Sequence, residues 1–136
     1  MKTDLHLHFE GTCAAAFAFY EKTFNSKIAM SMKYGDAPAG TPVDPASKDL
    51  IMHTSLPVGS MQLMGCDACG RSKPMGGFQI SLCLTDEAEV KRLFAALSEG
   101  GSTQMPLTPT FWSPLFGMCT DKFGVGWMVS VPGPQM

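Results

Sequence analysis

Charge is scarce in this chain. Asp, Glu, Lys and Arg make up only 16% of its 136 residues, and the formal net charge is −2. Its ten basic residues are scattered, so no basic run is available to neutralise phosphates, and nucleic-acid binding is not expected. Long apolar runs are missing as well: none approaches the roughly 20 residues of a membrane span. The opening MKTDLHLHFEG has no signal-peptide core. These absences lead to the expectation of a soluble, cytoplasmic protein with neither a membrane nor a nucleic-acid partner.

A second pair of clustered cysteines is also lacking. The five cysteines are an odd number. Cys13, Cys83 and Cys119 sit inside apolar patterns, where cysteine behaves as a small buried hydrophobe. Cys66-Asp67-Ala68-Cys69 has CxxC spacing, but a structural zinc site wants a second pair of ligands. The pair is therefore read as two loop thiols. What the chain does have is 45% hydrophobic residues, including eleven methionines. Methionine fills irregular gaps, so it suits an adaptable ligand cavity and an ordinary core alike.

Periodicity divides the chain into two similar runs. Asp4–Glu10 alternates, with Leu5, Leu7 and Phe9 on one face and His6 and His8 on the other, as in a half-buried strand. Gly11-Thr12 breaks it, Thr12 is placed as an N-cap, and Cys13–Phe24 carries Phe17, Tyr20 and Phe24 at helical spacing. Lys27–Tyr34 alternates again. Gly35–Lys48 holds three prolines and two glycines and reads as a loop, a candidate mobile cover. Leu50–Leu56 and Ser60–Met64 form a hairpin about Pro57-Val58-Gly59, and a glycine-rich linker follows.

The order then repeats. Phe78–Leu84 is a strand, and Asp86-x-x-Glu89 resembles a capping box opening a helix with Val90, Leu93, Phe94 and Leu97 on one stripe. Gly100-Gly101 stops it. Ser102–Leu107 is a strand, Thr108–Pro114 a loop carrying Phe111 and Trp112, and Leu115–Thr120 and Val125–Val131 a hairpin about Asp121-Lys122-Phe123-Gly124. The expectation is an α+β fold of two βαβββ modules, residues 1–65 and 78–131, joined by a linker over 66–77. A four-stranded sheet with one helix leaves a face uncovered, so two such sheets are expected to pair.

Phe9-Glu10-Gly11 through Phe19-Tyr20, and Asp121-x-x-Gly124 before a strand, resemble the vicinal-oxygen-chelate superfamily of glyoxalase I and the bleomycin and fosfomycin resistance proteins. The likeness is closer to its PhnB-like branch, in HFEGTCAAAFAFY, MKYGDAP, the strand holding His53, and TFWSPLFGMCTDKFGVGWMVSV. It implies paired βαβββ modules around a cleft, usually in homodimers. The branch is sometimes labelled a ubiquinone-biosynthesis methyltransferase. No glycine-rich strand-to-helix turn supports that label here.

The resemblance also implies that one face of each sheet packs on helices and the other lines the cleft. Alternation then leaves His6, His8, Ile51, His53, Ser55, Gln62 and Met64 on the cleft side of the first module. Gln79, Ser81, Cys83, Phe116, Met118, Met128 and Ser130 take that side of the second. Metal-dependent members hold a divalent ion with ligands from the first, fourth, fifth and eighth strands, slots that fall here on His6, Gln62, Gln79 and Met128. Nickel, zinc, manganese or iron would meet one imidazole, two neutral amides and a thioether, with no anionic oxygen. His8, about 7 Å from His6 along the strand, is a further candidate ligand. The bland alternative has both histidines hydrogen-bonded to water at a half-exposed strand.

His53 is a candidate general base, a ligand-anchoring donor, or a satisfied cavity histidine. Trp112 either stacks on a planar ligand or packs against the other half. His8, Ser81, Met118 and Met128 are the remaining candidate ligand contacts. Two functions follow. The favoured one is a metal-poor protein whose cleft holds a small molecule. The alternative is a divalent-metal-dependent, glyoxalase-like lyase, isomerase or dioxygenase.

Overall fold

A computed structural model describes residues 1–134. The chain divides into two units, the first ending at Pro74 and the second beginning at Met75.

The first unit holds β1 (Leu5–Phe9), α1 (Cys13–Thr23), β2 (Met30–Lys33), β3 (Ile51–Val58) and β4 (Met61–Asp67). The sheet order is β1-β4-β3-β2. β1 runs parallel to β4, and the other pairs are antiparallel. The second unit repeats this plan with β5 (Ile80–Cys83), α2 (Glu87–Ser98), β6 (Ser102–Thr108), β7 (Leu115–Thr120) and β8 (Gly126–Val131). Its order is β5-β8-β7-β6, with β5 parallel to β8. Both units are therefore βαβββ, and the chain has the expected α+β class.

Each helix buries one stripe against its own sheet. α1 buries Cys13, Ala16, Phe17, Tyr20 and Thr23, and α2 buries Val90, Leu93, Phe94 and Leu97. Beneath each helix a glycine makes room for an aromatic ring. A Cβ on Gly65 would lie 2.5 Å from Phe17 Cε1, and one on Gly117 would lie 2.8 Å from Phe94 Cε2. Both separations are far inside van der Waals contact, so the helices sit close only because these strand positions lack side chains.

Several boundaries differ from the sequence reading, each for a local reason. The first hairpin turns at Gly59-Ser60, with Pro57 inside β3 opposite Gln62; Gly59 takes the positive φ of +55° that the turn requires. β4 runs on to Asp67, three residues past the expected end at Met64. Cys66 is thus a strand residue, not a loop thiol. Cys69 is exposed beyond it at φ +55°, its thiol donating to the Asp67 carbonyl at 3.6 Å. Cys83 is exposed instead of buried, because it lies on the face of β5 away from α2. A short 3-10 turn at Tyr34–Asp36 leads into Gly35–Lys48, a second lies within it at Pro45–Ser47, and its ends are tied by Gly35 N–H donating to the Lys48 carbonyl at 2.8 Å.

The helix starts also resolve differently. Asp86 caps α2, accepting from Ala88 N–H at 3.0 Å and Glu89 N–H at 3.3 Å. Glu89 turns to Arg92 instead of closing the box. Thr12 makes no side-chain cap at α1. That task falls to Asp67, whose side chain is buried at the end of β4. Its Oδ1 accepts from Gly11 N–H at 2.8 Å and Cys13 N–H at 3.1 Å, and its Oδ2 accepts from Ile51 N–H at 2.9 Å. The Tyr34 hydroxyl donates to its carbonyl at 2.7 Å.

Asp67→Ala strips three backbone donors of their acceptor in a dry setting. We expect it to destabilise the protein by about 2–5 kcal/mol, read as a lower urea midpoint. A midpoint within error of the parent would mean that water replaces the carboxylate.

Candidate functional site

Alternation along β1 sends Leu7 and Phe9 into the core, where Phe9 meets Phe17 edge-on at 6.4 Å. The other face of that sheet therefore carries His6 and His8. Register extends the row: His6 stands opposite Met64, and His8 opposite Cys66. On β3, Ser55 stands opposite Met64, and His53 pairs with Met32 of β2.

Three imidazoles gather on this face. The His6 ring lies 4.9 Å from that of His8 and stacks at 5.6 Å on that of His53. Cys66 Sγ is 3.5 Å from His8 Nδ1. One donor atom from each of His6, His8 and Cys66 falls within 4.8 Å of the others. His6 Nδ1 is buried with no hydrogen-bond partner among the described residues. Partial burial, then the neighbouring His8 and His53, push the His6 pKa below its ordinary value. Burial, reinforced by the Asp67 carboxylate, pushes the Cys66 thiol up, which argues against Cys66 as a nucleophile.

Gln62 lies two residues before Met64 on β4, half-buried, with its backbone N–H held by Asp4 Oδ1 at 3.0 Å. Gln79 belongs to the second unit, exposed and one residue ahead of β5. There Ser81 stands opposite Met128, and Met128 opposite Met118, in a cross-strand row away from α2. Both methionines are half-buried and Ser81 is exposed. Trp112 meets Phe116 edge-on at 5.4 Å and Phe111 at 4.7 Å.

Two features escaped the sequence reading as site members. Cys66 continues the His6–His8 row, but the CxxC spacing drew it toward Cys69. Ser130, expected on the cleft side without a role, is fully buried, and its Oγ has no partner among the described residues.

Residues 1–130 match the sequence family described as 3-demethylubiquinone-9 3-methyltransferase, the label carried by the PhnB-like branch. The chain belongs to this family. It is 31% identical over 140 residues to protein YjdN of Escherichia coli K12, covering 96% of this chain and 95% of that protein. The crystal structure of protein PA1353 from Pseudomonas aeruginosa is 43% identical over 97% of this chain and 98% of that one, with a TM-score of 0.87. A glyoxalase/bleomycin resistance protein/dioxygenase family enzyme from Burkholderia phytofirmans shares the fold at 12% identity and a TM-score of 0.65, over 96% and 99% of the two chains. That likeness shows the fold expected from the vicinal-oxygen-chelate resemblance. The relatives' descriptions define no specific activity for the family.

Metal-dependent proteins of this fold imply a divalent ion, and the slots that the resemblance assigns test poorly for one. His6 and Gln62 share the first unit, Gln79 and Met128 belong to the second, and the four together supply no anionic oxygen. A hard divalent ion such as manganese wants carboxylate or carbonyl oxygen. This set does not fit it.

The lowered His6 pKa has a consequence for stability. Between the folded-state value and the ordinary 6.5, the unfolded chain binds more protons than the folded one, so stability rises with pH across that window and is lost as pH falls through it. Histidine NMR titration should place the His6 midpoint below 6.5, with unfolding midpoints dropping over the same range. A His6 midpoint at or above 6.5 would overturn the desolvated assignment.

Proposed function

We propose that this protein binds a small organic molecule against the histidine-bearing face of its first sheet. The observation that carries this reading is His6: a buried Nδ1 with no partner among the described residues, beside two further imidazoles, on a face that also carries half-buried Met32, Ser55, Gln62 and Met64. A buried polar atom without a partner costs of the order of 1–3 kcal/mol, and a ligand bearing one complementary donor or acceptor recovers it. The methionines suit an apolar or aromatic body of variable shape. His53 orients such a ligand as a hydrogen-bonding partner. The second unit carries its own candidate contacts, Ser81, Met118, Met128 and Trp112: one hydroxyl, two thioethers and an aromatic ring. Methyl transfer is not part of this reading.

The alternative, a glyoxalase-like lyase, isomerase or dioxygenase, draws on one observation. With its pKa lowered, His6 stays neutral at physiological pH and is able to accept a proton as a general base. Such a reaction would rest on His6 itself, since the slots from the resemblance do not suit a hard divalent ion.

Fragment screening by NMR tests the binding reading. Hits should shift the ring signals of His6, His8 and His53, and His53→Ala should weaken them by about tenfold, or 1.4 kcal/mol. Hits confined to other surfaces would sink it.

A cytoplasmic homodimer completes the proposal. Phe111 is 96% exposed beside Trp112, a large apolar group of the kind that protein interfaces cover. Light scattering should give twice the chain mass, and Phe111→Asp should shift the population toward the single chain. A single-chain mass at every concentration would refute the dimer.

A further inference from the structure

The first unit carries a donor set that the family slots do not include. We propose that His6, His8 and Cys66 form a site for one thiophilic d10 cation, Zn2+ or Cu+, built wholly within the first sheet. Two imidazoles and a thiolate make a borderline-to-soft set. Such donors favour zinc and cuprous copper, and disfavour the oxygen-seeking ions.

The spacing supports the assignment. Zinc bonds of about 2.0 Å to nitrogen and about 2.3 Å to sulfur place neighbouring tetrahedral donors about 3.3–3.5 Å apart. Cys66 Sγ and His8 Nδ1 already stand 3.5 Å apart. The three donor atoms lie within 4.8 Å of one another. The frame is rigid: His8 and Cys66 are register partners on parallel strands, and Asp67, the next residue, is fastened to three backbone N–H groups. The His53 ring stacks on His6 and limits its rotation. His8 is exposed, which leaves an entry path.

A second observation points to a ligand independently of the cluster: His6 Nδ1 is buried without a partner among the described residues. A metal bond to this nitrogen would remove that cost. Three protein donors leave a tetrahedral zinc with one open position for water or an exogenous ligand, whereas cuprous copper accepts three donors as they stand. Met64, directly across from His6, adds a thioether on the same face, a donor type that also suits Cu+. On binding, the thiol proton is released to solvent and a metal–sulfur bond forms; no oxidant or reductant is needed. The site needs no organic ligand, and its occupancy is measured with none present.

The test uses the full chain, free of any histidine tag and stripped with a chelator. Native mass spectrometry and competition with a chromophoric chelator are run with Zn2+ alone, and with Cu+ alone under anaerobic, reducing conditions. The expected result is one ion per chain. His8→Asn and Cys66→Ser should each lower affinity by at least about a hundredfold, while Cys69→Ser leaves it unchanged. The ion held more tightly against its competitor identifies the natural one. Co2+ substitution supplies a readout independent of the variants: a thiolate-to-cobalt charge-transfer band in the near ultraviolet in the unmutated protein. Absence of one-to-one uptake, unchanged affinity in folded Cys66→Ser, or a cobalt complex without the thiolate band would each overturn the site. Small-molecule binding by the chelator-stripped protein would survive any of those results, so the two readings fail separately.

Discussion

The first unit hangs on a buried carboxylate. Asp67 collects the N–H groups of Gly11, Cys13 and Ile51, so one side chain ties the end of β4 to the start of α1 and the start of β3. A buried charge is tolerable only when its lone pairs are filled, and three backbone donors fill them. The second unit solves the same problem with Asp121. There Oδ1 accepts from Phe123 and Val125 N–H, and Oδ2 accepts from Trp127 Nε1 at 2.8 Å. In both units a carboxylate holds a strand end where the chain must turn.

That constraint sets the chemistry beside it. Cys66 immediately precedes Asp67, and fastening Asp67 fixes where Cys66 meets His8. Because side chains alternate along each strand, a one-residue slip of β4 against β1 would send Cys66 into the core beneath α1. It would also bring a side chain to the position where Gly65 lets Phe17 approach. The close helix therefore enforces the register, and the register assembles the His6–His8–Cys66 row.

The arrangement separates this chain's chemistry from that implied by metal-dependent proteins of the same fold. The family slots are spread over both units and are mostly neutral amide or thioether. The converging donors lie in one sheet and include a thiol. The same first-strand histidine, His6, belongs to both sets, so what differs is the company that tertiary structure gives it. Partial burial lowers the His6 pKa, and a neutral imidazole can in principle anchor a ligand, accept a proton or bind a metal, so its neighbours decide among those roles.

The repeat, the element order, the helix stripes and the faces of most strands were legible in the sequence, because periods of 2.0 and 3.6 register directly in where Leu5, Leu7 and Phe9, or Val90, Leu93, Phe94 and Leu97, fall. Turn chemistry at Asp121–Gly124 was legible for the same local reason. The role of Asp67 was not. Its partners lie 16 to 56 residues away, and nothing in Cys66-Asp67-Ala68-Cys69 distinguishes a buried acceptor from a loop residue. Cys66 likewise took its meaning from His8, 58 residues distant, whereas spacing alone paired it with Cys69. Local pattern determined which residues face which way. Only the pairing of distant strands decided which of them meet.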